Sequence, residues 1–335
     1  MDKNYNTNLL VGQGPHIHTA VDTQKTMLMV IGALIPALAV STFVFGPRVL
    51  VLAVECVAAS MVFEALWNIL MHREQTVMDF SAALTGLLIA FNVPSGLPVW
   101  IAVVGCFIAI VVIKQLFGGL GKNLVNPAIT ARVVLFISFA TQMTTWPLPR
   151  AQQTADVVTG ATPLGILAEG GAELPSNMSL FLGTVGGSMG EVSAVALIIG
   201  GAFLVWKKII SPIIPCCFIG TVFVFAAIYY AAAGVPESAG DASVLGMALF
   251  HILAGGVMLG AIFMATDYVT TPQLPLGKVI FGIGCGLITM IIRLFGAYPE
   301  GVSFSILLMN ILTPLIDTLA VKMQIKKYEK KEGAK

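Results

Sequence analysis

Charge is what this 335-residue chain has least of. Only 10% of its residues are Asp, Glu, Lys or Arg, against 57% hydrophobic. A soluble domain carries about 25% charged residues, so this chain could not cover its own surface in water. The net charge is +1, and no basic arm or interleaving of aromatic and basic residues appears before the C-terminal tail, so nucleic acid is not an expected partner. The five cysteines, Cys56, Cys106, Cys216, Cys217 and Cys285, all lie in apolar runs and form no CxxC or Cys/His spacing. They read as small buried apolar residues, with a ligand set shared with a partner chain as the other option. Adjacent Cys216 and Cys217 would point about 100° apart on a helix and make a poor pair. No metal site is expected. No Walker A loop, GxGxxG turn or HExxH helix is present. The four histidines, His16, His18, His72 and His251, support no Ser-His-Asp arrangement. Only His251 lies in an apolar run, where an interhelical hydrogen bond is its expected role. No catalytic residue is assigned.

What the chain does have is long apolar runs. The mean hydropathy is +0.91, and the runs approach the roughly 20 residues needed to cross a bilayer. The first follows a polar arm and is too long for a signal-peptide h-region, so no cleavable signal is expected. The sequence predicts an all-α polytopic membrane protein with about ten spans, over residues 26–46, 49–71, 80–93, 98–117, 127–143, 192–206, 213–233, 244–265, 277–295 and 302–321. Spans 3 and 8 are broken: the third closes at Asn92-Val-Pro-Ser-Gly96, the eighth at Thr266-Asp-Tyr-Val-Thr-Thr-Pro272. Pro127 suits the first position of the fifth helix.

Ten spans put both termini on one side. Lys25, Arg73, Lys114, Lys122, Lys207, Lys208, Lys278 and the six lysines of the tail fall on one face, so the positive-inside rule makes both termini cytoplasmic. Five regions follow: a cytoplasmic arm (1–25), a first five-helix repeat (26–143), an external loop (144–190), a second five-helix repeat (191–321) and a basic cytoplasmic tail (322–335). The repeat rests on Ile113-Lys-Gln-Leu-Phe-Gly-Gly119 and Ile292-Arg-Leu-Phe-Gly-Ala297, which end spans 4 and 9. Each is followed by a Gly- or Pro-containing polar loop and another span. Five spans per half is an odd number, so the halves are expected to be inverted, with a site between them.

Ionisable groups inside spans are costly and are functional candidates. Glu64 can pair with Arg73 by snorkelling. Arg132 lies two turns into span 5. Glu191 starts span 6, Asp267 sits at the break after span 8, Glu300 follows Pro299, and Asp317 lies in span 10. Each acid alone is explained by capping or pairing. As a set in a membrane, Glu191, Asp267, Glu300 and Asp317 are the candidates for an ion pathway.

The longest polar interval holds Asp156-Val-Val-Thr-Gly-Ala-Thr-Pro-Leu164. By itself Thr159-Gly160-Ala161-Thr162 reads as a loop or a helix N-cap. Further strings accompany it: Gly14-Pro-His-Ile-His18, Asp79-Phe-Ser-Ala-Ala-Leu-Thr-Gly86, Gly118 to Arg132, Gly187-Ser-Met-Gly-Glu191, Met264-Ala-Thr-Asp267 with Thr271-Pro272, Tyr298-Pro-Glu-Gly301, and Asn310 to Asp317. In this order, over nearly the whole chain, they resemble the D subunits of the Rnf complexes, ion-pumping ferredoxin:NAD⁺ oxidoreductases. The B subunit of the Na⁺-translocating NADH:quinone reductase is the next resemblance, and it usually has a longer N-terminal extension than this arm.

The resemblance implies a subunit of a redox-driven translocase in a bacterial or archaeal cell membrane, not a complete enzyme. It implies FMN joined through its phosphate to the second Thr of a Ser/Thr-Gly-Ala-Thr motif by a separate flavin transferase. That residue is Thr162 here, with Thr159 where many relatives have Ser. Relatives can also carry a second, non-covalent flavin such as riboflavin, for which no residues are assigned. Implied partners are the iron–sulfur and flavin subunits of the complex, the transferase and membrane lipid. Attachment calls for an accessible hydroxyl on the transferase's side. Two other readings stand beside this one: a secondary transporter or channel without redox chemistry, and a purely structural assembly subunit.

Overall fold

The computed structural model describes residues 22–153, 159–170, 173–240, 242–296 and 298–332, the last six by their main chain alone. His16 and His18 of the arm, Asp156 of the polar interval and the last residues of the tail lie outside the described residues.

The chain is mostly helical. In order come α1 (Thr23–Phe45), α2 (Arg48–Leu70), α3 (Ser81–Phe91), α4 (Val99–Phe107), α5 (Pro127–Ser138) and α6 (Ala140–Met143). Then follow α7 (Pro163–Glu169), α8 (Asn177–Leu182), α9 (Ala194–Trp206), α10 (Ile213–Ala233), α11 (Val244–Leu253), α12 (Val257–Leu259), α13 (Pro275–Phe295) and α14 (Val302–Glu332). A π-helical turn extends α4 through Ile108–Gln115, and another extends α12 through Gly260–Met264. Five helices are long and apolar enough to cross a membrane, and α11 with α12 and its extension makes a sixth candidate, bent by 63°. Each of the other four predicted spans holds a shorter apolar helix. This is a polytopic membrane architecture, with large apolar side chains such as Phe43, Ile228 and Leu315 turned outward.

One element departs from an all-helical expectation. In the interval between α6 and α7, β1 (Trp146–Pro147) pairs antiparallel with β2 (Thr159–Gly160), Trp146 opposite Gly160. This short ladder fixes the chain just before Thr162.

Local chemistry explains the helix ends. Asp22, Asn126, Thr162, Ser176, Ser193 and Ser243 each cap the following helix by accepting a backbone N–H. Close helix approaches depend on missing side chains. A Cβ on Gly86 of α3 would collide with the Cys56 carbonyl of α2, and one on Gly200 of α9 with the Ala33 carbonyl of α1. α2 packs against α3 and α4, α10 packs against α11 and α13, and α1 lies along α9. The loop before α9 also closes the end of α3, because Gly190 N–H donates to the Phe91 carbonyl at 2.8 Å.

Glu64 does not pair with Arg73. Its Oε1 lies 2.8 Å from Lys114 Nζ and accepts from the Gln115 amide at 2.8 Å and the Thr76 hydroxyl at 3.2 Å. Lys114 also donates to Ser81 Oγ at 2.6 Å, at the start of α3. The π-helical end of α4 carries Lys114 and Gln115 inward together. A carboxylate sealed between helices is stabilised far more by a dry ammonium than by a solvated guanidinium.

Removing one partner of this pair strands a buried charge. Lys114→Met should lower unfolding stability in detergent by about 3–5 kcal/mol, and Lys114→Met with Glu64→Leu should recover most of it. Thermal denaturation of the three proteins checks this, and equal loss in the single and double variants would contradict it.

Candidate functional site

The four candidate acids fall into two groups. Glu191 and Glu300 converge on Arg132. From α5, Arg132 Nη1 donates to Asn92 Oδ1 at 2.9 Å, Nη2 bonds Glu300 Oε2, and Glu191 Oε1 stands 3.6 Å from Nη2. The side chains are 6%, 13% and 6% exposed for Arg132, Glu300 and Glu191. Glu191 Oε1 has no hydrogen-bond donor. Two carboxylates face this guanidinium in a dry site, and a second buried guanidinium, Arg293, acts on both of them from further off.

Asp267 and Asp317 do not join this cluster. Asp267 follows the π-helical turn and accepts from Thr270 Oγ1 at 3.0 Å. Asp317, on α14, accepts from the Gln273 N–H at 3.2 Å. Both therefore hold the 267–273 segment, in keeping with the capping and pairing roles expected of single acids.

A line of amides connects the two groups. Asn92, at the end of α3, donates to Met264 Sδ at 3.2 Å. Asn126, capping α5, donates to the Met264 carbonyl at 3.2 Å. With its amide turned to satisfy both neighbours, Asn310 of α14 accepts from the Asn126 N–H at 3.1 Å and donates to the Thr270 carbonyl at 3.2 Å. Thr270 then reaches Asp267. Asn92, Asn126 and Asn310 were not among the sequence candidates. The Asn126-Pro127 start of a helix and the placement of Asn92 at a broken span were the signals available for two of them.

Thr162 is not the open hydroxyl that attachment called for. It is 5% exposed, and its Oγ1 accepts the Gly165 N–H at 3.1 Å as the N-cap of α7. Pro163 and Leu164 behind it are buried. The rigid cap and the adjoining ladder draw the hydroxyl in. Its neighbours Thr159 and Ala161 remain exposed and Gly160 half-buried. An ester oxygen keeps a lone pair for Gly165 N–H, so the cap geometry tolerates a phosphodiester at this atom.

His251 makes the interhelical bond expected of it, 2.9 Å from the Tyr230 hydroxyl. Among the described residues no three His, Cys, Asp or Glu side chains stand together as a metal site. All five cysteines are free thiols.

Residues 10–326 match the profile of the NQR2, RnfD, RnfE family. The chain belongs to this family. One relative is the D subunit of the Na⁺-translocating ferredoxin:NAD⁺ oxidoreductase complex of Acetobacterium woodii, 47% identical over 314 residues, covering 92% of this chain and 93% of that protein. The D subunit of the proton-translocating ferredoxin:NAD⁺ oxidoreductase complex of Clostridium ljungdahlii is 40% identical, covering 92% and 93%. The D subunit of an ion-translocating oxidoreductase complex of Stutzerimonas stutzeri is 38% identical, covering 90% and 91%.

The guanidinium fork is what ties Asn92 and Glu300 into one site. Arg132→Lys keeps the charge but not the fork, and should cost about 1–3 kcal/mol of stability. An unchanged thermal midpoint would show that charge alone holds the cluster.

Proposed function

We propose that this chain is the D subunit of an ion-translocating ferredoxin:NAD⁺ oxidoreductase of the Rnf type, carrying FMN in phosphodiester linkage to Thr162. The observation that carries this reading is the match to such subunits over nine-tenths of both chains, with the Thr159-Gly160-Ala161-Thr162 motif intact. Bound FMN would supply one- and two-electron redox chemistry. The chain itself contributes the hydroxyl, the membrane scaffold and the acidic cluster. It works with iron–sulfur and flavin subunits of the same complex, a flavin transferase and membrane lipid.

The ten-span, inverted-repeat organisation is part of this reading. Equivalent contacts support it. Lys114, ending the π-turn of α4, holds the start of α3 through Ser81. Arg293, near the end of α13, bonds the Ala254 carbonyl at 3.0 Å, just before α12. Asn126, before α5, touches α14 at Asn310. Glu300, before α14, touches α5 at Arg132. Each half thus places the entry of its last helix against the last helix of the other. Ten crossings, with the lysines counted by the positive-inside rule, put both termini in the cytoplasm and the interval 144–190 outside.

Coupling then runs through the interface of the halves. Glu191 and Glu300, buried beside Arg132 where the halves meet, take up a proton or a Na⁺ ion. The amide line leads toward Asp267. A transporter without redox chemistry could use the same interface, and the flavin separates the two readings.

Two experiments test this. The chain co-expressed with a flavin transferase, denatured and run on a gel, should give a fluorescent flavin band that Thr162→Ala abolishes. A dark wild-type band, beside a control flavoprotein labelled in the same cells, would remove the redox reading. In membrane vesicles containing the whole complex, Glu300→Gln or Glu191→Gln should lower redox-driven ion uptake by at least about tenfold while the flavin band persists. Undiminished uptake in both variants would take these acids out of the pathway.

A further inference from the structure

The turn that ends α9 carries two lysines and an exposed tryptophan, Trp206-Lys207-Lys208-Ile209. Lys208 N–H donates to the Val205 carbonyl at 2.9 Å and Ile209 N–H to the Leu204 carbonyl at 2.9 Å, and Ile209 packs down with Leu204, both buried. This is the Schellman arrangement, in which the residue after the cap enters the left-handed region and is usually glycine. Here that residue is Lys208, at φ +57°. A Cβ is strained in this region, so glycine would make the turn more easily. Lys207 lies over the Trp206 ring, 4.8 Å from its centroid. Lys208 adds a second exposed positive charge beside it.

The same turn borders an apolar groove. Val205 before it and Ile210 after it line one end of a groove of about 530 Å³ between α9 and α10. Missing side chains make the groove. Gly220 of α10 has no atom within 4 Å of where a Cβ would stand, and exposed Ala202 and Cys216 continue the walls. Gly201 lets α9 close on Ile262, which forms the floor. A Cβ on Gly201 would lie 2.7 Å from Ile262 Cγ2. An α-helix about 10 Å across fills roughly 420 Å³ in each turn, so the groove holds little more than one turn of a partner helix. A hydrocarbon chain is much thinner and can lie along it. With the lysines counted by the positive-inside rule, the turn stands at the cytoplasmic surface, where the leaflet carries anionic lipids and a tryptophan suits the headgroup level.

We propose that this groove seats one acyl chain of an anionic phospholipid of the cytoplasmic leaflet, with its phosphate held by Lys207 and Lys208. Three observations meet there: an apolar groove too small for a helix, two cations at its mouth, and a lysine in a turn that favours glycine. The inference goes beyond the flavin and the acid cluster and is independent of both. Binding is reversible and forms no covalent bond.

Native mass spectrometry of the full chain in detergent, titrated with phosphatidylglycerol or phosphatidylcholine, tests the site. The wild type should retain one phosphatidylglycerol roughly tenfold more tightly than phosphatidylcholine. Lys208→Gly removes the charge and relieves the turn. It should lower that preference about fivefold, with a thermal midpoint in lipid-free detergent no lower than that of the wild type. Gly220→Phe fills the groove from a helix position with open space around it. It should weaken retention of both lipids by roughly tenfold. Equal retention of the two lipids by the wild type would overturn the proposal, and so would a Lys208→Gly or Gly220→Phe protein that binds them as the wild type does. In the assembled complex, a benzophenone maleimide on the exposed Cys216, in a Cys217→Ala background, should cross-link to phospholipid. Cross-linking to a partner subunit would give the groove to a protein and overturn the lipid assignment.

Discussion

Everything at the centre of this protein depends on how Arg132 is neutralised. A guanidinium buried in an apolar chain must be surrounded by acceptors, and these come from across the molecule. Asn92 ends α3, Glu191 precedes α9, and Glu300 precedes α14. Three breaks in helical structure therefore meet at one side chain. This is the condition under which irregular backbone survives at membrane depth, buried in protein and supplied with partners. It also explains why the helices around it are short. α3, α5 and α9 each stop or start where their freed backbone groups can be met, as Gly190 meets Phe91 and Asn126 meets Ala128.

The proposed halves solve the same packing problem with different chemistry. Each uses a cation near the end of its fourth span to hold the start of a broken helix. In the first half that cation is fully compensated by Glu64 and sealed by Gln115 and Thr76. In the second half Arg293 holds two carbonyls and keeps an unused donor beside a cavity. Duplication would account for the scaffold. α2 brings Lys114 a carboxylate at contact distance, whereas the acids that act on Arg293, Glu191 and Glu300, stand beyond ion-pair contact.

Much of this was legible in the sequence. Composition and run length define the helical stretches, since a long apolar run has few other folds in lipid. Proline, glycine and asparagine marked the breaks after α3 and before α5, because those residues act locally. The pairing of buried charges was less legible. Arg73 is the cation nearest Glu64 along the chain, yet Lys114, fifty residues away, is the one that the π-turn of α4 delivers. The four acids looked equivalent as isolated in-span or near-span residues. Only the fold separates the pair on Arg132 from the pair that holds the 267–273 segment. Thr162 shows the same limit in another form. A Thr before Pro reads correctly as an N-cap, but its burial depends on α7 packing toward Gly255, a contact about ninety residues away in sequence.

That burial changes what the hydroxyl can be used for. A side chain that caps a helix and lies under its own segment is a poor substrate for a large enzyme, yet a secure place to hold something once attached. The N-cap bond to Gly165 would survive esterification, because it uses a lone pair and not the hydroxyl proton. Under the proposed attachment, the modified turn would dock as α7 packs, with its cap bond kept. The contacts that bury Thr162 would then hold a group attached there against the protein.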